Sequence, residues 1–402
     1  MKRILIFALT YYPNKISGAE EAVQEISDRI DPKDIEFHMV TLRYNSILPV
    51  TEKIGNILVH RIGLTKKNPS FQDLGKMPLD LNKPLYQFLA PLYAIMLHRK
   101  YHYDAIWSLM AHSAGVPAAI FKTFYPKTKY ILTLQEGDPI PYIEKTMRPV
   151  KLLFNKAFTS VDKVQAISSF LAHWAKDKKV EAQKIHVIPN GCNNPDLQDI
   201  TTAEQVNAIK NKHHKQPGDI WLVNTARLVK QKANDQIIQA LSQLPENIKF
   251  IIVGDGPEEN YLKNLTKELK LESRVVFTGN LPQAEAAAYR KSSDIFVCPS
   301  RSEGLGNAFL SAMASRLPVI ATQEGGLAEF IFDEQRNPDK TTTAWAVDKD
   351  KPEQIVDAVQ DIVANPTKVN KVTEQARKMI EEKYTWDVVA ARMQKEIFNQ
   401  IL

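Results

Sequence analysis

Two hydrophobic periods alternate along this chain. Short apolar runs bounded by Gly, Pro, Asn and Asp fall at residues 3–9, 36–41, 58–62, 104–109, 130–134, 163–167 and 185–188. Each reads as a buried strand. Between them lie segments of helical period, such as residues 19–30, where Ala22, Val23, Ile26 and Ile30 share one face. This alternation predicts parallel sheets built from βαβ units. The rhythm lapses between Pro189 and Gly218, a stretch rich in Asn, Gln, Lys and His in which residues 201–214 read as a polar helix. A second series follows, with strands at 221–226, 250–253, 275–278, 295–298, 318–321 and 344–347 and a helix at 352–364. The expected fold is α/β, with two doubly wound, Rossmann-like domains at residues 1–190 and 191–384. Val389, Met393 and Ile397 recur at four-residue spacing and add an amphipathic helix at about 385–402.

Two segments depart from the rhythm. Residues 65–82, rich in Lys, Pro and Asp, read as a long loop of the kind that serves function or motion. Residues 85–97 form the longest apolar stretch, interrupted by Gln87 and Pro91. It is too short to cross the roughly 30 Å hydrocarbon layer of a bilayer. A core helix is the favoured reading; a membrane-surface patch competes with it because His98, Arg99 and Lys100 follow.

Composition supports two sizeable cores: 44% of the 402 residues are apolar and 24% charged. The net charge of +6 is mild and dispersed, and the basic clusters at 176–179 and 210–215 read as solvated surface, so no nucleic-acid partner is expected. Cys192 and Cys298 make neither a metal spacing nor a disulfide framework, which fits a reducing, cytoplasmic setting. The apolar start is short, lacks a small-residue cleavage site, and reads as a first strand rather than a signal peptide.

Candidate chemistry gathers where strands end. Glu303 sits on a glycine-punctuated turn between the run at 295–298 and a helix whose Ala308, Phe309, Ala312 and Met313 recur at helical spacing. Open α/β sheets bind ligands at that carboxyl edge, and first-turn amides favour anionic or hydroxyl-rich guests. A phosphorylated sugar fits both. Arg227 and Lys232 follow the strand at 221–226. A guanidinium fork and a mobile ammonium there suit a diphosphate, although surface Arg and Lys are common. Gly254 and Gly256 suggest a dinucleotide fingerprint, but Glu259 stands at the third glycine position, so a tight turn is the better reading. Gly279 permits close approach of a base edge or simply makes a turn. In the first half, Gly18, Ala19 and Glu20 open a helix behind the loop at 10–17. His112 follows one strand, and Gln135, Glu136 and Asp138 follow the next; such a polar cluster is hard to bury without purpose. No Asp-x-Asp, His-x-x-His or paired Cys motif occurs, so no metal site is expected.

An ordered series of motifs spans nearly the whole chain. It comprises Gly18-Ala19-Glu20, Val187-Ile188-Pro189-Asn190-Gly191, Ala226-Arg227-Leu228 with Lys232, and Ile252 through Pro257. It continues with Phe277-Thr278-Gly279, Ser300 through Gly306, and Pro318 through Thr322 with Gly325-Gly326. In this the chain resembles the retaining glycosyltransferases of family 4 (glycosyl transferases group 1). The resemblance implies the GT-B fold: two Rossmann-like domains facing across a cleft, with the last helix crossing back to the first. It implies a hexosyltransferase-type enzyme that moves a sugar from a UDP- or GDP-sugar to a sugar, lipid or glycoconjugate acceptor, as in glycolipid or polysaccharide synthesis. Retention of configuration, independence from metal and the lack of a prosthetic group are implied with it.

Position by position, the resemblance makes Arg227, Lys232 and Glu303 the catalytic group, the cations on the donor diphosphate and Glu303 on the sugar hydroxyls. Gly279, Gly304, Leu305, Gly306, Asn307 and Ser311 would bind the donor. Gly18, Ala19, Glu20, His112, Gln135 and Asp138 would lie on the phosphate or acceptor side. Three departures stand out. Ser311 replaces a second Glu eight positions after Glu303, Gln135 replaces a His, and Arg316 replaces a Gly. The first two keep alternatives open: a nucleotide-sugar-binding protein with weak or no transferase activity, or a GT-B epimerase. Peripheral contact with the inner face of a membrane also stays open, and the sequence carries no signal for oligomeric state.

Overall fold

Runs of Ile, Val, Leu and Phe that are buried on both faces of a sheet need helices on both sides, and the chain supplies them twice. A computed structural model describes residues 1–13, 18–192 and 194–402. It divides the chain into Met1–Asn190 with Trp386–Leu402, and Gly191–Thr385.

The first unit holds β1 (Lys2–Phe7), β2 (Ile35–Leu42), β3 (Thr51–Ile54), β4 (Ile57–Ile62), β5 (Ala105–Leu109), β6 (Lys129–Leu134), β7 (Lys163–Ala166) and β8 (Ile185–Val187). Their order is β3-β4-β2-β1-β5-β6-β7-β8. All neighbours are parallel except β3, which folds back antiparallel on β4. The pattern of the sequence does not reveal β3, because this edge strand buries none of its side chains. The second unit holds β9 (Ile220–Thr225), β10 (Ile248–Val253), β11 (Val275–Phe277), β12 (Ile295–Cys298), β13 (Val319–Ala321) and β14 (Trp345–Ala346). Its wholly parallel order is β11-β10-β9-β12-β13-β14. Strand order therefore reverses between β1 and β5 in one unit and between β9 and β12 in the other. Those two switch points are where an open α/β sheet leaves a crevice.

Ile4, Ile6, Phe37, Met39 and Trp107 anchor the first core, and the end of the chain completes it with Trp386, Val389, Met393 and Phe398. The Phe398 ring lies 5.9 Å from Phe37 and 5.5 Å from Trp107. Leu222, Phe250, Ile252, Val297, Ile320 and Ile355 belong to the second core.

Three segments differ from the expectation. Residues 65–82 are not a plain loop: two 3₁₀ turns, Phe71–Gly75 and Leu79–Leu81, lead directly into a helix. That helix, Asn82–Tyr101, buries Tyr86, Ala90, Pro91, Ala94 and Leu97 but leaves Leu85, Phe88, Leu89, Leu92 and Met96 exposed. The core-helix reading thus holds for one face only. A further helix, Pro366–Lys383, escapes notice in the sequence because Val372, Ala376 and Ile380 are its only buried apolar residues. Among the described residues, no helix is long and apolar enough to cross a membrane.

Because Trp386 fills the first core from the far end of the chain, Trp386→Ala should destabilise that unit by about 3–5 kcal/mol. Urea unfolding followed by a probe within residues 1–190 checks this; an unchanged midpoint would contradict the packing.

Candidate functional site

The candidate chemistry of the second unit grows from the ends of β9 and β12. After β9 the backbone lies directly on the turn that follows β10. Leu228 N–H donates to Asp255 O at 2.7 Å and Glu258 N–H to Leu228 O at 3.0 Å. A Cβ at Gly254 would stand 2.1 Å from Ala226 O, and one at Gly256 2.4 Å from Leu228 O. The two glycines are therefore needed so that the segment bearing Arg227 can lie against them. The chain then makes a short turn, Lys230–Lys232, and Ala233, in left-handed conformation at φ 52°, redirects it into the helix Asn234–Leu241.

Lys232 Nζ reaches across to Glu303, donating to Oε1, which also accepts from Ser300 Oγ at 3.0 Å. The Glu303 backbone is fixed from the other side. Its carbonyl accepts Gly326 N–H at 3.1 Å, and a Cβ on Gly325 would come within 2.0 Å of that same oxygen. Arg301 ties the two loops together. Its amide donates to Gln231 O at 2.7 Å, and its guanidinium to Lys230 O at 2.7 Å and Asp235 at 2.7 and 3.0 Å. Arg301 also reaches Asp350 at 2.6 Å. The sequence does not single out Arg301, because its partners Lys230, Gln231, Asp235 and Asp350 are distant in the chain.

The side chains of Lys232 and Glu303 are only 19% and 6% exposed. Burial works against the ammonium, yet the attraction of Glu303 outweighs it and holds Lys232 above the usual lysine range. Arg227 is exposed and close enough to oppose that charge. Burial pushes the Cys298 thiol up to about 11, and its sulfur lies 3.2 Å from Ser300 Oγ, so it serves as packing rather than as a nucleophile. Burial would raise Asp235, but Arg301 holds it below the usual carboxylate range.

Gly304 and Leu305 are buried, and Gly306 at φ 99° starts the helix Asn307–Ala314, which no side chain caps. Within that helix Ser311 is buried and its hydroxyl has no hydrogen-bond partner. Gly279 accepts Gly254 N–H at 2.9 Å, and the space where its Cβ would be is open. Arg316 adopts φ 58° just past the helix, the left-handed stop that favours glycine, and its side chain reaches Glu374 at 3.4 Å.

In the first unit, residues 14–17 of the loop at 10–17 lie outside the described residues. Gly18 and Ala19 begin the helix Gly18–Asp28. Glu20 is buried and accepts from Thr10 Oγ1 at 2.5 Å, so its carboxylate fastens the loop after β1. Beyond β5, Met110 at φ 62° turns Ala111 N–H onto buried Glu136 at 2.6 Å. Glu136 also accepts Gln135 N–H at 2.9 Å and lies 3.5 Å from His112 Nδ1. Gln135 Oε1 accepts from Asn190 Nδ2 at 3.1 Å, while its own Nε2 is buried without a partner. Asp138, half-buried, follows on the same loop. The fold thus places Gly18 and His112 at the switch point between β1 and β5, with Gln135 and Asp138 one strand further along. Among the described residues, no group of three or more His, Cys, Asp and Glu side chains is placed to hold a metal ion.

Comparison with known proteins gives a consistent picture. Residues 16–194 match the family described as Glycosyltransferase Family 4, and residues 205–379 match Glycosyl transferases group 1. The chain is 30% identical over 254 residues to alpha-monoglucosyldiacylglycerol synthase of Streptococcus pneumoniae, covering 60% of this chain and 56% of that one. It is also 30% identical over 182 residues to the GDP-mannose-dependent alpha-(1-6)-phosphatidylinositol monomannoside mannosyltransferase of Mycolicibacterium smegmatis, covering 43% and 46%. The chain thus spans about half the length of these curated relatives. In structure it resembles sucrose-phosphate synthase from Thermosynechococcus elongatus, with TM-score 0.80, 18% identity and coverage of 100% and 99%. It also resembles Anabaena HepE in complex with UDP and glucose, with TM-score 0.78, 19% identity and coverage of 99% and 100%. At such identities these two establish the fold alone.

Two predictions follow from the site geometry. Lys232→Met leaves the Glu303 carboxylate buried without its ammonium and should destabilise the second unit by about 3 kcal/mol. Adding Glu303→Gln should recover part of that loss in a double-mutant cycle, whereas strictly additive effects would contradict the pairing. Asp235 has a lowered folded pKa, so its tie to Arg301 adds stability above the unfolded aspartate value and loses it as pH falls through the lowered folded value. Asp235→Asn should therefore flatten that part of the acid limb of a stability-against-pH curve.

Proposed function

The chain belongs to glycosyltransferase family 4, and we propose that it transfers a hexosyl unit from a nucleoside-diphosphate sugar to an acceptor with retention of configuration and without a metal ion. One observation carries this reading: a partly buried ammonium and a buried carboxylate are held in contact at a switch point, beside an exposed guanidinium and an uncapped helix start. Each group has a partner of the right kind in a sugar diphosphate. Arg227 and Lys232 take the phosphate oxygens, and Glu303, once its ammonium turns to phosphate, accepts from sugar hydroxyls. The amides from Gly304 to Asn307 stabilise the negative charge that grows on the departing diphosphate. Gly279 leaves room for the base, and the unpartnered hydroxyl of Ser311 takes one ribose oxygen. The acceptor attacks from the face the diphosphate leaves.

The donor is a UDP- or GDP-sugar. HepE was crystallised with UDP and glucose, and the mycobacterial relative is named for GDP-mannose. A lipid-borne acceptor is favoured, since two of the relatives with 30% identity are named for glycerolipid or phosphatidylinositol products. A second reading, a binding protein with little transfer, draws on Ser311, which offers one hydroxyl where a carboxylate would hold two.

Incubation with UDP- and GDP-sugars in the presence of chelator, with NMR of the product's anomeric centre, separates the readings. Release of nucleoside diphosphate with the donor's configuration kept in the product supports transfer. Binding without release supports the second reading, and loss of activity in chelator refutes the metal-free mechanism. Arg227→Ala and Lys232→Ala should each weaken binding of the nucleoside diphosphate by about 1.5–3 kcal/mol, measured by calorimetry.

A further inference from the structure

The helix Asn82–Tyr101 is apolar on two faces, and the fold covers only one. Tyr86 is buried, its hydroxyl donating to Val40 O at 2.8 Å, and small Ala90 and Ala94 let the helix lie close to the sheet. On the opposite side Leu85, Phe88, Leu89, Leu92 and Met96 are between 38% and 59% exposed. At 100° per residue these five fall within one stripe, roughly 16 Å long at the helical rise. Single exposed apolar residues need no explanation, but a contiguous row does.

Charge indicates what covers the row. Asn82–Tyr101 contains no acidic residue, and the same stripe runs into Arg99 and Lys100, both exposed. Apolar side chains ending in cations match the boundary between acyl chains and anionic headgroups. A second copy of the chain is a poorer occupant. A ridge one helix wide offers far less than the roughly 800 Å² per partner that stable dimers bury.

We infer that this helix docks on an anionic lipid bilayer, lying in the plane of the interface with Leu85, Phe88, Leu89, Leu92 and Met96 among the upper acyl chains. The inference deepens the acceptor reading proposed above, because it brings the first unit to the surface where a lipid acceptor resides. None of these residues belongs to the candidate active site.

The test is co-sedimentation of the full chain, without donor, with vesicles of phosphatidylcholine alone or mixed with phosphatidylglycerol. The chain should bind the mixed vesicles and lose binding in high salt. Leu89→Glu with Leu92→Glu should reduce the partition by more than tenfold. Arg99→Glu with Lys100→Glu should reduce it about fivefold for each cation lost. Donor turnover in vesicle-free solution should equal the parent's in both variants, which shows that they fold. Since vesicle binding is read without donor, it stands or falls separately from transfer. Failure of the parent to bind mixed vesicles, or parental binding by both variants, overturns the inference. So does a dimer in sedimentation velocity that Leu92→Glu dissolves, which would assign the stripe to a second copy.

Discussion

A lysine ammonium withdrawn from water needs an anion in contact with it, and in this protein Glu303 supplies that anion for Lys232. The pair is held between backbones that admit almost no adjustment. Gly325 and Gly326 touch the Glu303 and Gly304 carbonyls, and Arg301 binds the Lys230–Lys232 turn to the Glu303 loop. Two charges so confined cannot relax far when one changes partner. A ligand that offers phosphate to the lysine and hydroxyls to the glutamate replaces one pairing by two. In the function proposed above, the ion pair serves as a preorganised receptor as well as a structural bond.

Two nearby departures from the family pattern lie outside that contact. Arg316 occupies the left-handed helix stop without a glycine, and its side chain finds Glu374 outside the site. Ser311 lies buried with an idle hydroxyl. Neither side chain takes part in the Lys232–Glu303 contact. In the first unit the corresponding edge is organised by carboxylates turned inward: Glu20 holds Thr10, and Glu136 gathers the amides of Ala111 and Gln135. These acids shape the loops after β1, β5 and β6, where, among the described residues, His112 Nδ1 and Gln135 Nε2 are buried without a hydrogen-bond partner.

Much of this was legible in the primary structure because it depends on local period and on the rule that ligands meet the carboxyl ends of strands. Strands such as 295–298 and 221–226 announce themselves by unbroken apolar runs, and Glu303, Arg227 and Lys232 stand just beyond them. What stayed hidden depends on contacts between distant residues. No spacing rule reveals that Lys232 meets Glu303 or that Arg301 spans Asp235 and Asp350. β3 buries no side chain, and Pro366–Lys383 buries too few, for either to print a hydrophobic period. The helix Asn82–Tyr101 shows the converse. Its apolar residues are plain to see, but only the fold tells which face is covered.

The most direct measurement is a crystal structure of the protein with a non-hydrolysable UDP- or GDP-sugar. Lys232 Nζ should have left Glu303 for a phosphate oxygen, with Glu303 accepting from the sugar hydroxyls and Arg227 ordered on the diphosphate. A ligand bound elsewhere, with the Lys232–Glu303 contact intact, would contradict the account.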